Sequence, residues 1–119
     1  MKALIIGAAG FVGSYLIQHL TAAYDWEIHA TKLPDENLSA ADIYVHDLNI
    51  MRPDEIQRLL SEARPDYIFH LAAQSSVALS WKNPQLTVDI NIKGTLNILG
   101  SIRSLADYSP RILLIGSGE

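Results

Sequence analysis

The residues of this chain best placed to do chemistry are three glycines. Gly7, Gly10 and Gly13 are spaced G-x-x-G-x-x-G, directly behind the apolar run Ala3-Leu4-Ile5-Ile6 and directly ahead of an apolar-periodic segment that begins at Phe11. That order predicts a strand, a tight turn and a helix. Glycine suits such a turn because positive φ costs it little, because no side chain blocks an incoming group, and because a helix can then lie close on the strand. The helix directs its first backbone N–H groups and the positive end of its dipole at the turn. The chemistry on offer is reception of a diphosphate such as that of a dinucleotide. A glycine-rich turn without a ligand would carry the same three residues.

Other polar groups fall where such a turn would need them. A second strand, Glu27-Ile28-His29-Ala30-Thr31, leads into Lys32. At this strand end an acidic residue binds the adenosine ribose hydroxyls of a dinucleotide, whereas a basic one accepts a 2′-phosphate. Thr31 and Lys32 stand there, Glu27 is at the opposite end, and Asp35 lies beyond Pro34. Lys32 therefore favours NADP, with NAD the alternative; a solvated surface lysine would read the same way. A later strand, Asp66 to Leu71, runs into the small and polar residues Ala72-Ala73-Gln74-Ser75-Ser76. Open α/β sheets bind ligands at the carboxyl ends of such strands, which makes Ser75 and Ser76 candidates for substrate contact. His19, His29, His46 and His70 show no paired ligand spacing, and there is no cysteine, so no metal site is expected.

The elements that must hold these groups follow from periodicity. The first helix is predicted from Phe11 to Ala23, with Val12, Leu16, Leu20 and Ala23 facing the sheet. Leu33 to Ala41 reads as a loop, broken by Pro34, Asp35, Asn37 and Ser39. The third strand is Asp42 to His46, ending at Asp47-Leu48. Pro53 opens another helix, whose stripe is Ile56, Leu59, Leu60 and Ala63 and which Pro65 stops. Asp66 to Leu71 is apolar on both faces, as a central parallel strand should be. Asn83-Pro84 makes an N-cap and first-turn pair for a helix reaching about Ser104. That helix carries two stripes: Val88, Ile92, Thr95, Leu99 and Ile102, and Ile90, Gly94 and Ile98. They fit packing against the sheet and a further helix or subunit, or a deep core helix. The fifth strand is Arg111 to Ile115, followed by Gly116-Ser117-Gly118-Glu119. Strands that alternate with helices predict an α/β fold: a Rossmann-type, doubly wound parallel sheet in the order 3-2-1-4-5, with right-handed crossovers and a cleft between strands one and four.

The bulk properties set limits. At 119 residues the chain is expected to be one domain, and 49% hydrophobic residues are enough for a core. A net charge of −4 without a basic cluster argues against a nucleic-acid partner. No apolar run approaches the roughly 18 residues of a membrane span, and the N-terminus lacks the flanks of a signal peptide, so a cytoplasmic protein is the expectation.

Four motifs now stand in order over essentially the whole chain: GAAGFVG at Gly7–Gly13, HDL at His46–Leu48, HLAAQSSV at His70–Val77 and NIKGTLNIL at Asn91–Leu99. The chain resembles the N-terminal part of the extended short-chain dehydrogenase/reductases, the NAD(P)-dependent nucleotide-sugar epimerases and dehydratases. LAAQSSV followed by SWKNP is most similar to the GDP-mannose 4,6-dehydratases and GDP-4-keto-6-deoxymannose reductases.

The resemblance implies a set of contacts. Gly7, Gly10, Phe11 and Val12, with Gly13 in the same turn, would line the pyrophosphate. Thr31 and Lys32 would lie near the adenosine ribose, and Asp47 and Leu48 at the adenine edge. Leu71, Ala72, Ala73 and Gln74 would run along the nicotinamide-side ribose and phosphates, and Asn91 would support the cofactor from the next helix. Ser117 falls on the family's catalytic Ser/Thr position, and Glu119 where the dehydratases carry an active-site glutamate. Gly118 between them departs from the common Ser/Ala pattern. The implied activity is hydride transfer on a nucleotide sugar, a GDP-sugar being favoured, by a homodimer of the full-length protein.

The family also uses a Tyr-x-x-x-Lys pair. Four residues after Tyr15, Tyr24, Tyr44, Tyr67 and Tyr108 stand His19, Ile28, Leu48, Leu71 and Ile112, none of them lysine. The chain is therefore expected to be a cofactor-binding portion, residues 1–119, without the C-terminal substrate domain and inactive alone. The alternative is a free-standing dinucleotide-binding module, a sensor or regulatory subunit.

Overall fold

In the computed structural model, which describes residues 1–38, 42–71 and 92–114, the elements run β1 (Lys2–Ile6), α1 (Phe11–Ala23), β2 (Glu27–Lys32), β3 (Tyr44–Asp47), α2 (Pro53–Ala63), β4 (Tyr67–His70), α3 (Gly94–Ser104) and β5 (Arg111–Leu114). The strands form one parallel sheet in the order β3-β2-β1-β4-β5, as the sequence predicts. Among the described residues no helix is long and apolar enough to cross a membrane.

The centre of the sheet falls on β1, whose Leu4, Ile5 and Ile6 are 1% exposed or less. Period-2 alternation divides its residues between two cores. Ala3 and Ile5 join Ile28, Ala30, Ile17 and Leu20 on one face, under α1. Leu4 and Ile6 join Ile68, Ile56, Leu60, Ile98 and Ile102 on the other, under α2 and α3. A parallel sheet must be covered in this way, because its crossovers lie on its faces.

Local chemistry sets the helix ends. Pro53 stands at the start of α2, with Asp54 and Glu55 in the first turn at the positive end of the dipole. Arg64 closes the helix in a left-handed conformation (φ 42°), and the buried Pro65 cannot continue it. Ile56, Leu59, Leu60 and Ala63 are the buried stripe, as predicted.

Three expectations are corrected. In α1 the buried face is Gly13, Ile17 and Leu20; Val12 is 54% exposed and Ala23 is exposed too, because Gly13 draws the helix in at its own side. The third strand starts at Tyr44, since Asp42 takes a left-handed turn conformation (φ 65°). In α3 the side facing the core is Gly94, Ile98, Ser101 and Ile102, while Ile92, ahead of it, and Leu96 are exposed. Val88, Ile90 and Ile115 lie outside the described residues.

Candidate functional site

Four strand ends meet along the carboxyl edge of the sheet. Backbone bonds continue one or two residues past three of them: Ala8 N–H donates to Thr31 O, Leu48 N–H to Lys32 O and Leu71 N–H to Ile6 O, each at 2.8 Å. In sheet order this lines up Asp47-Leu48, Thr31-Lys32, the glycine turn and Leu71.

The turn is built from both sides. Gly7 has φ 78°, a left-handed conformation that L side chains rarely adopt. Its N–H donates to Thr31 Oγ1 at 2.9 Å. Thr31 is 1% exposed, and its hydroxyl is a strut that fixes the turn. Gly13 is buried, and a Cβ there would stand 2.6 Å from Ala8 Cα and C and closer still to Ala8 O. Its task is the close approach of α1 to the turn.

Gly10 is different. It caps α1 in extended backbone (φ −87°, ψ −177°) with no side-chain cap, and a Cβ placed on it would meet nothing within 4 Å among the described residues. The first helical bond runs from Ser14 N–H to Gly10 O, at 3.1 Å. The N–H groups of Phe11, Val12 and Gly13 therefore have no acceptor within the helix, and no acidic side chain stands in the first turn. Among the described residues, positive partial charge, donors unpaired within the helix and free space coincide, which is what a diphosphate requires.

Beside the turn, the Lys32 ammonium donates to Asp47 Oδ1 at 2.6 Å and to Leu33 O at 3.3 Å. The two side chains stand opposite each other in register, at the ends of β2 and β3. Leu48, expected at the adenine edge, is 5% exposed and its side chain belongs to the core with Leu4 and Ile6. Leu71 packs half-buried against the α1 core. A cavity of about 410 Å³ adjoins this end, lined by His46, Asp47, Leu48, Asp54, Glu55, Arg58, Leu59 and Glu62. It is largely acidic, lies between β3 and α2 and does not include the glycine turn, and its carboxylates would repel a diphosphate. Ala72, Ala73, Gln74, Ser75, Ser76, Asn91, Ser117 and Glu119 lie outside the described residues.

Sequence reading missed two features near the site. Glu36 turns its carboxylate back to accept the Leu33 N–H at 2.8 Å, in a loop where no periodicity could have placed it. His29 and His46 meet, Nδ1 to Nε2, at 2.9 Å, with His29 Nε2 2.8 Å from Glu27 Oε2 and Tyr44 stacked on the His29 ring. Their positions on neighbouring strands, two residues apart in register and so on the same face, become adjacent only through the β2–β3 pairing.

That contact makes the fold sensitive to acid. One shared bond between imidazoles needs a lone pair on one of them, so the pair cannot hold both protons and keep it. Burial, and then the neighbouring His29, push the His46 pKa below the ordinary histidine value, against a smaller opposite pull from Glu62. Burial lowers the His70 pKa too, and its Nε2 is bonded to Thr95 Oγ1 at 3.0 Å. A histidine with a depressed folded pKa stabilises the fold above its unfolded pKa of about 6.5, and that contribution is lost as pH falls through the folded value. The melting temperature is expected to drop between pH 7.5 and pH 5, with a shallower drop in a His46→Gln, His70→Gln double variant. Equal slopes for the two proteins would remove these histidines as the cause.

A family model described as GDP-mannose 4,6 dehydratase matches residues 4–119. The chain belongs to this family. It is 34% identical, over 87% of its length, to GDP-mannose 4,6-dehydratase of Vibrio cholerae, and covers 32% of that protein. It is 32% identical, over 99% of its length, to GDP-6-deoxy-D-mannose reductase of Pseudomonas aeruginosa, and covers 34% of it. Among solved structures, UDP-glucose 4-epimerase of Thermotoga maritima with UDP-glucose superposes with a TM-score of 0.84 at 28% identity, over 96% of this chain and 37% of that one. The Thermus thermophilus UDP-glucose 4-epimerase in complex with NAD gives 0.76 at 28% identity, over 87% of this chain and 34% of that one. The chain thus spans about a third of the length of the relatives it matches. As a member of the GDP-mannose 4,6-dehydratase family it falls among the extended short-chain epimerases and dehydratases, on a Rossmann-type sheet.

Proposed function

We propose that this chain is the cofactor-binding portion, residues 1–119, of an enzyme that uses a nicotinamide dinucleotide to epimerise, dehydrate or reduce a nucleotide sugar, a GDP-sugar being favoured. The observation that carries this is the turn: a positive-φ glycine, an uncapped α1 start and open space at Gly10, all on the carboxyl edge of a parallel sheet. Gly7, Gly10, Phe11, Val12 and Gly13 would hold the diphosphate through backbone N–H groups. Lys32, Asp47 and the Leu48 backbone would face the adenosine. Leu71, Ala72, Ala73 and Gln74, with Asn91, would lie along the nicotinamide half, and Ser75 and Ser76 against the sugar nucleotide.

When bound, the dinucleotide supplies the hydride acceptor or donor, and this chain's residues orient it. The Ser117 hydroxyl would hydrogen-bond the oxygen of the sugar carbon that is oxidised or reduced. The Glu119 carboxylate would take or give a proton where water is lost. The GDP-sugar preference rests on the family match and on the dehydratase and reductase relatives; similarity to UDP-glucose epimerases keeps a uridine sugar in the comparison. The exposed Ile92 and Leu96, one helical turn apart, would be covered in a homodimer of the full-length protein. A cytoplasmic location agrees with the use of a soluble dinucleotide.

A second reading is a binding module without catalysis, and the lack of a Tyr-x-x-x-Lys pair favours it for this chain taken alone. Both readings predict that the purified chain enhances the fluorescence of a reduced nicotinamide dinucleotide in a saturable titration. Neither predicts steady turnover of GDP-mannose by the chain alone. Absence of saturable binding would remove both readings; turnover would remove the second and the division of labour assumed in the first.

A further inference from the structure

The Lys32–Asp47 pair bears on which dinucleotide the edge accepts, and the inference rests on the reading of that edge as a nicotinamide-dinucleotide site. As a letter in the sequence, Lys32 is a basic residue at the end of β2 and invites a 2′-phosphate. In the fold it is already engaged. Its side chain is 17% exposed, its ammonium lies 2.6 Å from Asp47 Oδ1, and it reaches Leu33 O as well. Asp47, at 56% exposure, presents the outer face of the pair to solvent.

We propose that Asp47 is the specificity-determining residue of this site: by holding the Lys32 ammonium it makes the adenosine subsite favour the free ribose 2′-hydroxyl of NAD over the 2′-phosphate of NADP.

The charges around the pair support this. Glu36 brings a second carboxylate to the same corner through its bond from Leu33 N–H. The Lys32 ammonium is thus paired with the Asp47 carboxylate, while the Glu36 carboxylate is held on the N–H of the next residue, Leu33. Arg58 lines the cavity beside Asp47 in the company of Asp54, Glu55 and Glu62. A 2′-phosphate carries close to two negative charges near pH 7. To bind, it would have to take Lys32 from Asp47 and then sit against the released carboxylate, and like charges held close are unfavourable. A ribose diol meets no such conflict. Its hydroxyls can donate to the outward lone pairs of Asp47, which accepts several hydrogen bonds at once, while the ion pair stays intact.

The test is a pair of fluorescence titrations of the purified chain, with NADH and with NADPH, repeated on Asp47→Asn, Asp47→Ser and the double variant Asp47→Asn, Lys32→Met. Wild type is expected to bind NADH more tightly. Removing the Asp47 charge frees the ammonium and should shift the ratio of the two affinities towards NADPH by roughly tenfold. That gain should vanish in the double variant and weaken as salt is raised. Wild-type preference for NADPH would overturn the proposal. So would asparagine and serine variants in which both affinities move by the same factor. If wild type binds neither dinucleotide, the functional reading of the edge falls and takes this inference with it. Binding of both with an unaltered ratio removes the inference alone.

Discussion

Gly13→Ala is expected to cost the fold about 3 kcal/mol and to lower its melting temperature by roughly 10 °C. The added methyl would lie 2.6 Å from the Cα and carbonyl carbon of Ala8 and nearer still to its oxygen. These are backbone atoms, so no rotamer change relieves the contact. Relief needs α1 to move off the turn, which strips Ile17 and Leu20 from the core they share with Ala3 and Ile5. Gly10→Ala provides the internal control. Its Cβ meets nothing within 4 Å among the described residues and its φ of −87° suits any residue, so stability should stay within about 0.5 kcal/mol of wild type. The methyl would nevertheless enter the space assigned to the diphosphate and weaken dinucleotide binding. Urea unfolding and cofactor titration of the two variants side by side test the division. A Gly13→Ala protein as stable as wild type would contradict the packing role. A Gly10→Ala protein that binds with unchanged affinity would contradict the assignment of that space.

Thr31→Val carries the second large effect. The side chain is 1% exposed, so the replacement stays buried, but Gly7 N–H loses the hydroxyl that accepts it at 2.9 Å. A buried donor left unpaired costs about 1–3 kcal/mol. Most of that cost falls on the one residue whose positive φ sets the course of the turn, so cofactor affinity should fall with stability. Thr31→Ser keeps the acceptor and should recover most of both. Hydrogen exchange at the Gly7 amide gives a direct readout: fast in the valine variant, slow in wild type and serine variant. Equal exchange in all three would mean that the hydroxyl does not hold the turn.

These two residues mark how far the sequence can be read. The G-x-x-G-x-x-G spacing placed the turn correctly, because strand, glycine and helix are neighbours in the chain and local geometry alone relates them. It did not divide the labour among the glycines: Gly13 serves packing, Gly7 backbone conformation, and Gly10 open space. Those roles depend on what lies across the turn. Thr31 stands at the strand end that the sequence predicts, but its bond to the Gly7 N–H is not legible there, since a hydroxyl at a strand end looks the same whether it faces a ligand or a neighbouring turn. In the same way the α1 stripe was shifted: periodicity finds an apolar face but does not say which edge of it the sheet covers.

What the chain determined by itself was the alternation of strands and helices, the parallel order β3-β2-β1-β4-β5, the glycine turn at its carboxyl edge and the motifs that place it in its family. These follow from short-range patterns: period 2, period 3.6, turn chemistry and the handedness of crossovers. Only the tertiary structure decided the states of the charged and polar groups. Lys32 and Asp47 are 15 residues apart in the chain and 2.6 Å apart in space, and His29 meets His46 at 2.9 Å in the same two strands. Such pairings arise from strand register, a long-range property that no local pattern encodes, and they change a free cation into half of an ion pair.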